Sequence, residues 1–157
     1  MRGRRFGARP RTLDSVSAVD VVEEYVGRLP GETRRVAHGE WGITLSAEQA
    51  RGWPLDVGLR VADGLLRVQA FALPAVEAVN PWNFLHWNRG TRYIRFACTR
   101  SGDIWVHADL PVAAVDERQL DRVLGLVVEG AVAARDAVAA AQRPEPAGGG
   151  EGWGALG

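Results

Sequence analysis

Between Thr91 and Val112 two runs of alternating residues flank a short polar break, and this pattern restricts the fold more than any other stretch of the chain. Ile94, Phe96 and Cys98 alternate with Tyr93, Arg95, Ala97 and Thr99; after the break, Ile104, Val106, Ala108 and Leu110 alternate with Trp105, His107 and Asp109. A period of two with one apolar side describes a β-hairpin that buries one face. A loop of Arg100, Ser101 and Gly102, with the glycine left-handed, sets Cys98 opposite Ile104, Phe96 opposite Val106 and Ile94 opposite Ala108. A two-residue loop would shift the register by one and mismatch every pair.

A second hairpin is written upstream. Trp53, Leu55, Val57, Leu59 and Val61 alternate up to Asp63-Gly64, and Leu66, Val68, Ala70 and Ala72 alternate on the way back. A type I′ turn at Asp63-Gly64 pairs Val61 with Leu66, Leu59 with Val68 and Val57 with Ala70, all on one face. Ahead of this hairpin, Trp41, Ile43 and Leu45 alternate as another strand, Gly31 to Gly39 reads as a polar connection, and Ala47 to Gly52 returns the chain.

Helices occupy the remaining positions. Ser15 or Asp14 can cap a first helix with Val16, Val19, Val22, Val26 and Leu29 on one side, ended by Pro30-Gly31. Asn80 before Pro81 opens a short one over Trp82 to Asn88, stopped by Arg89-Gly90. Asp116 with Gln119 has capping-box spacing and opens a long helix bearing Leu120, Val123, Leu124, Val127, Ala131, Ala134 and Val138, with room to run to Arg143. The predicted architecture is α+β: an antiparallel five-stranded sheet in the order α-βββ-α-ββ-α.

Composition limits the function classes. All nineteen basic residues are Arg and none is Lys, so arginine by itself marks no site. Arg2, Arg4, Arg5, Arg9 and Arg11 lie in an arm without acids, which leaves five excess negative charges on residues 12–157. Residues 1–11 read as a disordered arm, 12–143 as one domain, and 144–157, rich in Gly and Pro around Trp153 and Leu156, as a disordered tail. No long apolar run predicts a membrane span and no apolar segment follows the basic start, so a cytoplasmic setting is expected. The one cysteine, Cys98, is expected to be buried and inert.

The chemistry expected of an enzyme is not written here. His38, His86 and His107 lie on separate elements, no CxxC or HxxxH spacing occurs, and no glycine-rich phosphate loop follows a strand, so neither a metal nor another cofactor is expected. Ser101 lacks the strand-turn-helix setting of a nucleophile. His107 and Asp109 share a strand face and could form an acid/base pair, but a surface pair beside Trp105 is the plainer reading.

The helix end Trp87-Asn88-Arg89, the strand Tyr93 to Thr99, Ser101-Gly102-Asp103, Ala108 to Val112, and Leu120-Asp121 with Leu124-Gly125-Leu126 resemble the YbjN family over about residues 14–138. These bacterial proteins share the fold of the type III secretion chaperones, and the chain resembles particularly the versions found in actinobacteria. The resemblance implies a partner-binding module linked to sensory regulation or chaperone-like binding, and it brings no catalytic residues. The expected function is therefore non-enzymatic recognition of a protein segment, by a chain that forms a homodimer. The expected contact surface is the polar side of the strands: Phe71, Tyr93 and Trp105 among Arg60, Arg67, Arg95 and His107. Arg60 and Arg67 stand directly opposite each other in the Asp63-Gly64 register, an unfavourable pair unless an anion or acidic residue lies between them. The alternatives are a small-molecule pocket between the sheet and Trp82, Phe84 and Trp87, and nucleic-acid contact through the Arg arm, which few aromatics support.

Overall fold

The computed structural model describes residues 11–143. Three helices, α1 (Arg11–Arg28), α2 (Pro81–Trp87) and α3 (Glu117–Ala141), lie on one side of a sheet of six strands: β1 (Glu32–Ala37), β2 (Glu40–Leu45), β3 (Leu55–Ala62), β4 (Leu65–Leu73), β5 (Arg95–Cys98) and β6 (Ile104–Pro111). The sheet is antiparallel in the order β1-β2-β3-β4-β6-β5. The architecture is thus the expected α+β arrangement with one strand more. The extra strand is β1, within the stretch read as a polar connection. It lies at the sheet edge with nearly every residue exposed, so it has no buried face to impress an alternating pattern on the sequence.

Both predicted registers are present. Val57 pairs with Ala70, Leu59 with Val68 and Val61 with Leu66, around a turn where Asp63 and Gly64 have φ of 52° and 77°. Cys98 pairs with Ile104 and Phe96 with Val106, and Gly102 closes the loop at φ 97°. The hairpin is shorter than its alternation implies: β5 begins at Arg95, so Ile94 and Ala108 are not rungs of the ladder. Sequence order does not show that β6 crosses over to pair with β4, setting Leu66 beside Leu110, Val68 beside Ala108 and Ala70 beside Val106. That pairing puts β6 inside the sheet and leaves β5 at the edge. There the Asn88 side chain replaces a missing strand, accepting from Phe96 N–H at 2.8 Å and donating to Phe96 C=O at 3.0 Å. A buried or half-buried strand edge needs such a partner.

Cys98 departs from expectation. It is exposed, at the last rung of an edge strand with a neighbour on one side only, and its thiol donates to the Thr99 carbonyl at 3.2 Å. Trp53 belongs to the loop before β3 rather than to the strand. The first helix starts at Arg11, ahead of Ser15 and Asp14, because arginine and leucine extend a helix readily. At its other end Gly31 is left-handed, as a stop requires. Asp116 caps α3 by accepting from Gln119 N–H at 2.7 Å, and α3 ends at Ala141.

The core lies between sheet and helices. Val22 and Val26 of α1, Phe84 of α2, and Leu120, Val123, Val127 and Ala131 of α3 pack on Leu59, Val68, Ala70, Phe96 and Val106. Phe84, Trp87 and Phe96 form an aromatic cluster with ring centroids 5.3 to 5.7 Å apart. Gly130 lets α3 approach closely, since a Cβ there would stand 2.7 Å from Ile94 Cδ1. Tyr25 ties α1 to α3, donating to Asp121 at 2.6 Å; burial, then this carboxylate, push its phenol pKa up. Residues 1–10 of the Arg arm and the tail residues Trp153 and Leu156 lie outside the described residues.

Candidate functional site

Because all three helices pack on one side, the described residues leave the other side of the sheet uncovered. The long helix, which had the length to cover it, lies on the core side against β4 and β6. Strand alternation puts Arg60, Arg67, Phe71, Trp105, His107 and Arg95 on this outer face, as the sequence pattern required.

Phe71 and Trp105 are paired across β4 and β6, their rings edge to face with centroids 5.4 Å apart. One row along, Gln69, His107 and Arg95 follow one another across three strands. Arg95 does not project over the face: its guanidinium turns back to donate to the Ile94 carbonyl at 2.7 Å and the Thr91 carbonyl at 2.9 Å, holding the approach to β5. Tyr93 does not join the group either. It precedes β5 and lies beneath the Arg122 guanidinium of α3, 4.6 Å from ring centroid to Cζ, so it is turned toward the helix side.

The Arg60–Arg67 pair is resolved by its neighbours. Across the sheet the row reads Glu40, Arg60, Arg67, Asp109. Arg60 Nε lies 3.2 Å from Glu40, and Arg67 donates to both Asp109 oxygens at 2.7 and 2.9 Å. The acids stand outside the pair, one on each flank, rather than between. The Arg67 guanidinium holds Asp109 below the usual carboxylate range against the opposing effect of partial burial, and the same bond raises Arg67. With both oxygens engaged by Arg67, Asp109 is not the partner of His107 in an acid/base pair. Glu40 and Asp109 escaped the expected site because their role depends on which strands are neighbours.

Two further features were not foreseen. Arg135 of α3 is 3% exposed and has no carboxylate partner among the described residues. It donates to the carbonyls of Ala72, Ala50 and Trp53 at 3.2, 2.9 and 2.7 Å, and its Cζ lies 4.1 Å from the Trp53 ring centroid. Burial lowers its pKa. The available signal was its place four residues after Ala131 on the apolar stripe. The other feature is Asp103, which accepts from Ala75 N–H and Ser101 O–H, both at 2.9 Å, and fastens the β5–β6 loop to the segment after β4. These bonds lower the carboxyl pKa of Asp103.

The expected pocket between sheet and α2 is occupied by the protein itself. Phe84 and Trp87 lie against Phe96, and Trp82 points outward at 75% exposure. A small cavity of about 180 Å³ lies instead between α2 and the last turns of α3. Among the described residues, no three His, Cys, Asp or Glu side chains converge to hold a metal ion.

This two-layer α+β sandwich, with its helices on one sheet face, is the fold expected from the resemblance, and the solved structures similar to it include a type III secretion chaperone. The chaperone SycH of Yersinia pestis, in complex with a stable fragment of YscM2, is 20% identical with a TM-score of 0.54, covering 74% of this chain and 98% of that one. A chain of the HopA1–SchA chaperone–effector complex is 12% identical with a TM-score of 0.58, covering 83% and 99%. YbjN from E. coli is 14% identical with a TM-score of 0.58, covering 79% and 92%. The chain belongs to the YbjN family, whose model, described as "Putative bacterial sensory transduction regulator", matches residues 59–140. No curated protein sequence matches it.

Proposed function

We propose that this chain is a non-enzymatic protein-binding module, chaperone-like or regulatory, that recognises a protein segment on the outer face of its sheet. The observation that carries this reading is the edge-to-face Phe71–Trp105 pair on a face with all three helices on the opposite side. Aromatic rings set among arginines are what interface centres are enriched in. Arg60, Arg67 and His107 surround the pair on this face, while Arg95 and Tyr93, turned away from it, are left out of the contact surface. The fold adds support, since two of the similar structures are complexes of a chaperone with another protein.

The partner itself is best sought by affinity capture from the native host with mass spectrometry, using the wild-type chain and Trp105→Ala side by side. Loss of a defined protein partner in the variant, at unchanged folding, is the expected result. Equal capture by both would remove the outer face from the binding reaction.

A homodimer goes with this reading. Ala139, Ala140 and Ala141 at the end of α3 are exposed, as are Trp82 and Leu85 of α2, and pairing would cover apolar surface of this kind. Light scattering at micromolar concentration should return twice the chain mass; a monomer mass would count against it. The working location is the cytoplasm: no helix among the described residues is long and apolar enough to cross a membrane. Recovery of the protein in the membrane pellet on cell fractionation would contradict that.

A further inference from the structure

Beside the aromatic pair, the same outer face sinks into a depression of about 470 Å³. Its floor is Gly58, opposite Gly42 of the neighbouring strand. The Arg34 guanidinium covers Gly42, with Cζ 2.9 Å from the place a Cβ would take, and it is pinned there by Thr44 at 2.9 Å. Above Gly58 the side is open: a Cβ would meet only Gln69 Cγ, at 3.8 Å. Val36 and Leu65, 62% and 40% exposed, stand on the rim with Ala62.

Both arginines of the depression are already paired. Arg60 and Arg67 each have their own carboxylate, Glu40 and Asp109, and the one further charge on the lining is Asp63. An acidic ligand would meet arginines already paired plus an extra negative charge. A basic ligand would find Asp63 at the turn but would have to compete with those arginines for Glu40 and Asp109. What the depression offers unused is a backbone floor and an apolar rim, and exposed apolar surface rimmed by polar groups marks an interaction site.

We propose that this depression receives an uncharged, apolar side chain of an extended protein segment, laid over Gly58 between Val36 and Leu65. The inference rests on the reading of the outer face as a protein-binding surface and specifies the chemistry recognised there. It also makes the paired arginines a device of selection: with Glu40 and Asp109 already taking their charge, they neither attract nor orient the bound segment.

The test uses the full chain, 15N-labelled, titrated with the capped peptide Ala-Leu-Ala-Leu-Ala and with counterparts carrying Glu or Arg in place of both leucines. The leucine peptide should shift the amides of Gly58, Val36 and Leu65, equally at low salt and at about 1 M salt, where the Debye length is only about 3 Å. The charged counterparts should bind at least about tenfold more weakly, since each would bring an unpaired charge against apolar surface. Gly58→Val should abolish the shifts without unfolding the chain: Gly58 has no left-handed backbone, a β-branched residue suits a strand, and the space above is empty. Tighter, salt-sensitive binding of the Glu peptide would overturn the proposal, because the arginines would then be the receptor. So would the absence of shifts at about millimolar peptide. Shifts confined to Phe71 and Trp105 would overturn it too, while leaving the protein-binding reading intact; loss of partner capture on Trp105→Ala tests that reading separately.

Discussion

Two adjacent rungs of the β4–β6 ladder, one residue apart, meet opposite worlds. Val68 beside Ala108 faces the helices, with 0% and 3% of their surface exposed; Arg67 beside Asp109 faces outward as a doubly hydrogen-bonded ion pair, half in water. On the inner side, stability comes from apolar area and close packing. On the outer side, charges are tolerated in rows because each finds an opposite neighbour one strand away. The one buried arginine among the described residues obeys the inner rule. Arg135 is satisfied by neutral carbonyls of Ala50, Trp53 and Ala72, which have fixed geometry, and not by a carboxylate, whose own desolvation would be large.

Phe96→Ala is the most severe way to probe the inner side. Phe96 is buried between Phe84 and Trp87 of α2 and beside Val106 of β6, so its deletion should lower stability by about 3 to 5 kcal/mol in denaturant melts. A loss under about 1 kcal/mol would mean that the helices do not pack on this side. Next comes Arg135→Met, which keeps the length of the side chain and removes every donor. Four backbone carbonyls, those of Ala50, Trp53, Pro54 and Ala72, would lose this donor, and a destabilisation of about 2 to 4 kcal/mol is expected. Quenching of Trp53 fluorescence should change with it, because the guanidinium no longer covers the ring. Unchanged stability would show that water serves those carbonyls as well as Arg135 does.

How far this division was legible in the sequence depends on the range of the interaction. Both hairpin registers followed from local facts, the turn residues and a period of two, and both hold. So do the helices, with the caps Asn80 and Asp116, although α1 starts at Arg11, ahead of the expected cap. β1 was missed because an exposed edge strand imposes no burial pattern. Cys98 was misplaced because alternation assigns a face, whereas burial on an edge strand also needs an element packed over the residue, as α2 is over Phe96. The β4–β6 pairing joins residues about forty positions apart and leaves no local trace. Hence the Arg60–Arg67 clash was visible while the acids that relieve it, Glu40 and Asp109, were not. Six of the seven expected surface residues fall on strands with the right parity; Tyr93 lies just before β5, where strand parity no longer applies.

Trp105→Ala sits on the other side of the comparison, next in sequence to buried Val106. Trp105 is half-buried and held chiefly by its edge contact with Phe71, so its removal should change stability by about 1 kcal/mol or less. Unfolding on the scale of Phe96→Ala would make the outer face structural, and the contrast between the two sides would collapse.

The smallest effect is the most specific to the outer face. A double-mutant cycle with Arg67→Gln and Asp109→Asn should give a coupling of about 0.2 to 1 kcal/mol, the range of partly exposed pairs. Its pH dependence has a definite sign. Asp109 is held below its ordinary value in the folded chain, mainly by the hydrogen bonds from Arg67, so the unfolded chain binds a proton there first as pH falls. The coupling should therefore be present in full at neutral pH and down to about pH 5. It should decline below the unfolded carboxyl value of about 3.9, disappearing as pH passes through the lower folded value. Arg67 stays charged throughout and contributes no slope in this window. A coupling that grew on acidification would mean that Asp109 is protonated more readily in the folded chain than in the unfolded one, and the neutral row Glu40–Arg60–Arg67–Asp109 would no longer describe this face.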